Sequence, residues 1–451
     1  FAMSLVKFTI RDLMSWLNFF QNKTTQLHHS FGRGTNASLS LDEEELFNKS
    51  YAAFENKDIL NAYEFFFESL ENFTNDIANE NISTTRNGEK LSFRIFQGTA
   101  EITGYITQEH LYAEAIVCKL SSTNVALKRY ILDRNYQLTY AYYFIDDNHI
   151  KIKIYHDNIT MTPQKIFFPL REIALNVDFD KEYIKSEFNT VVLENTSHLK
   201  KIDEDELTLK HAFLQSTAKD VLEKINALPT NDNSGMQAFL LLNTFYMIDY
   251  LLVPHFSMYQ KMSKKVQDYF VDESVTIEAK NNDLKNYIMK LQNISFPVFS
   301  QNFYNAKYTF NPIEKTPKED VDNFISESLL KIRWYKNNRY PLIIPTIYKY
   351  IAFYVLYNYG LNPVVKSLLH TLVEIQNQQY FLDLGYTELY DESVNTFSRK
   401  TIITRIEDIV EPHQARFKSL EPFGEELNFT SLNEFSNSFY IQIQNLDFEE
   451  I

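Results

Sequence analysis

The chain has 451 residues, enough for two or three domains, and its 44% hydrophobic and 15% aromatic content excludes wholesale disorder. The formal charge is −15, with ten acids against three cations in residues 401–451. The basic stripe that nucleic acid requires is therefore not expected, and an anionic membrane surface is disfavoured. Nine glycines leave little material for phosphate-cradling loops and the single Cys118 rules out a cysteine-based zinc site, so neither cofactor nor metal is expected.

Phe1-Ala2-Met3 reads as a cloning remnant ahead of a native start. Residues 5–20 have the spacing of a short amphipathic helix, and Lys7, Arg11 and Asp12 interrupt the apolar core that a signal peptide needs. Together with the low cysteine content, this points to a reducing, cytoplasmic compartment. Residues 22–40 are polar and read as a linker or mobile loop. His28 and His29 are adjacent, so they cannot share a helix face as a ligand pair.

Residues 41–195 form the first structured region. Ser40 and Glu43 have the spacing of a capping box. Apolar residues from Leu46 to Phe73 then recur at helical spacing, with Asn56-Lys57-Asp58 as a break between two helices. After the turn signal Asn87-Gly88 the period becomes two. Leu91, Phe93 and Ile95 mark one strand, Ile102, Gly104 and Ile106 a second, and Leu111 to Val117 a third, with Gly98 in a turn. Residues 122–135 return to helical spacing. Two further strands run through 138–144 and 150–154, joined at Asp146-Asp147-Asn148, and Thr162-Pro163 opens a long helix. The expected class is α+β, with a five-stranded antiparallel sheet covered by helices.

Residues 205–400 read as a larger all-helical domain. Helices are expected at 205–227, 235–253, 257–272, 276–293, 318–336, 342–358 and 362–380, with prolines at the joints. Residues 401–451 read as an acidic, extended segment wrapping the surface. Two apolar stretches, 236–254 and 340–359, approach the length of a bilayer span. Gln237, Asn243 and Asp249 punctuate the first, and Pro341, Pro345 and Lys349 the second. Buried helices are the expectation and a membrane association is the alternative.

The succession LSFRIFQGTAEITGYI, LYAEAIVCKL, NVALKRYILDRNYQLTYAYYFIDDNHIKIKI and MTPQKIFFPLREIALNVDFD resembles the CesT-like fold. That group includes type III secretion chaperones and the YbjN-like bacterial proteins. The resemblance covers residues 41–195 and implies no catalytic residues. It implies a module that holds extended polypeptide and often forms a homodimer. Those chaperones are small single-domain proteins, and the helical region has no counterpart in them.

Four charged positions, Arg171, Glu172, Asp178 and Asp180, read as a solvated helix face rather than an acid–base pair. Asp249 reads as a hydrogen-bonded core acid, and Cys118 as an inert buried thiol. The segment Arg333-Trp334-Tyr335-Lys336-Asn337-Asn338-Arg339-Tyr340 mixes cations with aromatics, the residue types of interaction hot spots. Its plain alternative is a helix end with Trp334 packed inward and the cations in water. Arg333, Trp334, Tyr335, Lys336, Arg339 and Tyr340 are the candidate partner-binding residues. The sequence thus points to a non-enzymatic, chaperone-like binder of a protein or peptide, an adaptor in a bacterial secretion or surface process. The rival readings are an enzyme with a site formed by Asp249, His255 and residues 333–340, or a membrane-associated protein.

Overall fold

The computed structural model describes residues 29–33, 35–71, 80–188, 190–229 and 233–450. The expected helix at 5–20 lies outside them, as does His28. The chain opens with a helical hairpin, α1 (Leu41–Glu55) and α2 (Ile59–Glu68). Ser40 and Glu43 form the expected capping box on α1.

The sheet is antiparallel and has six strands, not five. They are β1 (Ile82–Asn87), β2 (Lys90–Gln97), β3 (Ala100–Ile106), β4 (His110–Lys119), β5 (Tyr142–Asp146) and β6 (His149–Asp157). Their spatial order is β1-β2-β3-β4-β6-β5. The additional strand is β1, which pairs with β2 across the Asn87-Gly88 turn. Only Ile82 of β1 is buried, so an alternating pattern is missing from its sequence. Helix α3 (Val125–Asn135) carries the chain from β4 to the outer edge, and the β5–β6 hairpin returns it to the middle. The hairpin turns at Asp147 and Asn148, both at positive φ, as two-residue turns require.

Helix α4 (Pro163–Glu187) lies across the sheet, burying Ile166, Leu170, Ile173, Ala174, Val177 and Ile184. Thr162 caps it and Pro163 occupies its first turn, as expected. Cys118 is buried at the edge of this core, and desolvation pushes its thiol up to about 11.

The second core belongs to the helices α5 (Glu204–Asn226), α6 (Ser234–Leu252), α7 (Phe256–Val271), α8 (Ile277–Gln292), α9 (Phe296–Ser300), α10 (Lys318–Asn337), α11 (Ile344–Asn358), α12 (Pro363–Gln376) and α13 (Gln378–Asp383). The two apolar stretches, 236–254 and 340–359, fall largely on α6 and α11. Tyr246 of α6 meets Tyr350, Tyr354 and Tyr357 of α11. Among the described residues no helix is long and apolar enough to cross a membrane.

The C-terminal segment is not extended. It forms α14 (Arg399–Val410) and α15 (Leu432–Asn445), preceded by the two-stranded pair Tyr390–Asp391 and Thr396–Phe397. Ile402, Ile406 and Val410 recur at every fourth position, and Phe435, Phe439 and Ile443 do the same. These side chains are buried in the helical core while the acids face outward, so the net charge describes only the outer face.

Residues 29–33 and 35–39 are anchored rather than loose. Gly32, at positive φ, donates its N–H to Tyr250 O at 2.8 Å, and Phe31 packs among His370, Phe381 and Tyr386. A second crossing follows α9. Gln97 Oε1 accepts from Thr309 N and Phe310 N at 3.0 and 2.8 Å, and Phe310 is buried in the core of the sheet.

Candidate functional site

The candidate segment lies at the C-terminal end of α10. The helix stops in a Schellman motif. Tyr340 N–H reaches Tyr335 O at 3.0 Å, and Arg339 N–H reaches Lys336 O at 3.2 Å. The motif needs a left-handed residue at the position of Arg339, whose φ is +61°. Glycine is the usual occupant; here a cation holds the position at a conformational cost.

This cap divides the segment into two faces. Tyr335 points inward, edge-on to Phe239, with its hydroxyl near Gly235 of α6. Trp334 points outward and is 56% exposed, which departs from the plain alternative of an inward-packed tryptophan. It stacks on Tyr340 at 6.4 Å. Leu330, one turn earlier, is 58% exposed, and Leu342, just beyond Tyr340, is 69% exposed. Leu330 and Arg333 line a groove of about 440 Å³ closed on the other side by Ile441 and Glu434 of α15.

Cations surround these apolar groups. Lys336 approaches Glu434 at 3.8 Å with both side chains exposed, a contact of little energetic weight. Among the described residues, Lys331, Arg333 and Arg339 make no salt bridge. Sequence reasoning missed Leu330, Leu342 and Ile441. The spacing of Leu330 and Trp334 by one turn was a readable signal, whereas Ile441 reaches the site only through the packing of α15.

The enzyme alternative required Asp249, His255 and residues 333–340 to converge. Asp249 pairs with Arg33, and both charges act on His255 only at a distance. Arg33 Nε donates to Asp249 Oδ1 at 2.8 Å, its Nη2 donates to Pro254 O, and its guanidinium lies over the Tyr259 ring. The 333–340 segment is elsewhere. Tyr335 abuts Gly235, which precedes Asp249 by fourteen residues on the same helix, roughly 21 Å along its axis. The three-part site is not assembled. Among the described residues no group of three or more His, Cys, Asp or Glu side chains could hold a metal ion.

The charged cluster of α4 is not a solvated face. Asp180 accepts from Arg134 Nε at 2.9 Å, from Tyr130 and from Tyr143. Lys181 donates to Thr99 O and Glu194 O, and burial lowers its ammonium to about 8. Asp178 accepts from Thr99 N at 2.7 Å; burial and the charge of Glu182 raise it to about 7. Glu172 accepts the N–H groups of Thr139, Tyr140 and Ala141 at 2.7–2.8 Å, and Arg171 donates to Asn311 O and Pro312 O. Asp180, Lys181 and Glu172 are satisfied within the sheet module and Arg171 reaches the 311–312 segment, so their environment depends on elements distant in the sequence.

Glu182 is the centre of that junction. It accepts from His255 Nδ1 at 2.9 Å, from Tyr304 Oη and from Phe256 N. Burial would raise its carboxyl, but His255 and the hydrogen bonds more than offset this and hold it below the ordinary carboxylate range. Burial keeps His255 below the usual histidine value despite the opposing pull of Glu182. The network is internally satisfied and serves to hold the two cores together.

No family model matches this chain, and no curated protein shows a significant match to it.

Proposed function

We propose that this chain is a non-enzymatic protein-binding adaptor whose contact surface is the end of α10, and that its partner presents an acidic segment with apolar anchors. The observation that carries this reading is the exposed pair Leu330 and Trp334 beside Lys331, Arg333 and Arg339, which make no salt bridge among the described residues, and Lys336, whose contact with Glu434 is exposed and weak. Exposed tryptophan and arginine supply the anchoring and orienting contacts typical of protein interfaces. Clustered cations on a chain of charge −15 favour an anionic partner and steer its approach. The reading also draws on the resemblance of residues 41–195 to the CesT-like fold, which implies a polypeptide-binding role in secretion or surface processes.

Site-specific photo-crosslinking in the native host tests this reading. A crosslinker at position 334 is expected to give one discrete protein adduct, lost when Arg333 and Arg339 are changed to Glu. The same probe at the exposed Ile277 should give none. An adduct that survives the charge reversals, or identical adducts at both positions, overturns the proposal.

A specific observation favours self-association as well. Val125, Leu132 and Tyr136 fall on one face of α3 and its cap and are 65%, 63% and 91% exposed. Arg129 and Asp133 flank this stripe and make no salt bridge within the described chain. In a two-fold antiparallel pairing of two α3 helices, Arg129 of one copy faces Asp133 of the other. Sedimentation of the purified chain should show a dimer that Leu132→Glu converts to monomer. A monomeric wild type would exclude this interface.

A further inference from the structure

We propose that the cleft between α4 and helices α7 to α9 binds a soluble small molecule carrying clustered phosphates on an apolar or planar body. The cleft has a volume of about 700 Å³, within the range of sites for drug-sized ligands. Three lysines line it, Lys185 from α4, Lys261 from α7 and Lys290 from α8, and its lining contains no Asp or Glu. Ser257 and Gln301 add polar groups beside them.

Lys261 differs in pairing from the other lysines of its helix. On the same helix as Lys261, Lys264 lies by Asp268 and Lys265 lies by Asp283. Lys185, Lys261 and Lys290 have no salt bridge among the described residues. Helix ends account for two of the three positions. Lys185 and Lys290 occupy the last turns of α4 and α8, where exposed carbonyls attract cations. Lys261 lies in the second turn of α7, where no such carbonyls draw it. An anion in the cleft would bring it into use with the other two.

The rest of the lining fits the remainder of such a molecule. Phe256, Tyr287, Leu291 and Val298 form an apolar wall beside the ammonium groups. Its base is already organised. Glu182 holds Phe256 N–H, and Asn302 Oδ1 accepts from Met258 N at 3.0 Å. Recognition by ammonium groups avoids the glycine loop that this glycine-poor chain has little material to build. Because α4 belongs to the sheet core and α7 to α9 to the helical core, a bound ligand touches both.

The probe is a fluorescent nucleoside triphosphate, titrated into the full-length chain near physiological salt and followed by anisotropy. Saturable one-site binding is expected. Lys261→Glu should weaken it about fivefold, and Lys261→Glu combined with Lys290→Glu about thirtyfold, from roughly 1 kcal/mol per lysine. Lys400→Glu and Lys418→Glu, exposed and outside the cleft lining, make the same charge change and should alter the Kd by less than about twofold. Urea midpoints matching wild type will show that each variant is folded. No saturation by the wild type up to about 1 mM overturns the proposal. Equal weakening by the remote variants, or equal affinity for the nucleoside monophosphate, overturns it too.

Discussion

His255 Nδ1 lies 2.9 Å from Glu182 Oε1, although the two residues belong to different hydrophobic cores and are separated by 73 positions in sequence. Tyr304 and the N–H of Phe256 complete the carboxylate's partners. Three donors converge on one buried acid, so its charge is satisfied only when the α4 core and the helical core are docked.

Glu182→Gln turns one accepting oxygen into an amide donor facing these donors. A loss of about 3 kcal/mol is expected in urea unfolding, the cost of breaking a buried charged network on one side. A loss below about 1 kcal/mol would mean that apolar contacts alone hold the cores together.

The stability should fall in mild acid, in part through His370. Burial, with Arg405 and Lys366 nearby, holds its folded pKa down at about 4, against 6.5 when unperturbed. Between these values the unfolded chain binds the extra proton, so this contribution is present above pH 6.5 and lost as pH falls toward 4. His370→Gln, with its amide beside Tyr250 Oη, should reduce the stability difference between about pH 7.5 and about pH 5 by about 2 kcal/mol. Asp178, raised to about 7, acts in the opposite direction, losing its contribution as pH rises, and is common to both proteins. Denaturant titrations at the two pH values measure the difference; equal differences for both proteins would exclude the role of His370.

Gly98 and Gly88 form a matched pair. Both sit in β-turns at positive φ, +53° and +62°. A Cβ on Gly98 would lie 2.2 Å from both carboxylate oxygens of Asp178, while one on Gly88 meets nothing within 4 Å. Gly88→Ala should cost about 1 kcal/mol from backbone strain alone. Gly98→Ala should cost about 3 kcal/mol, because overpacking against a buried acid is added. Similar unfolding midpoints for the two variants would show that α4 yields readily at that contact.

Arg339→Gly separates stability from binding at the end of α10. Relief of the left-handed strain should raise stability by about 0.5–1 kcal/mol after the entropy of glycine is subtracted. The crosslinked adduct at position 334 should weaken in the same variant, because an orienting cation is lost. Higher stability with an unchanged adduct would remove Arg339 from the contact surface.

Several of these relationships rest on features readable in the sequence. The alternation of Leu91, Phe93 and Ile95 determined which face of β2 is buried, since successive strand residues point to opposite sides. Proline joints and the caps at Ser40 and Thr162 determined where the helices begin, because these residues satisfy or forgo the first N–H groups. The i, i+4, i+8 spacing of Ile402, Ile406 and Val410 was equally present, but the surrounding acids obscured it. Burial of the α4 charges, convergence of the three lysines and outward exposure of Trp334 were decided only by tertiary structure. A local pattern specifies the faces of one element. Whether a charge on that element meets water, a partner or another charge depends on segments brought beside it from elsewhere in the chain.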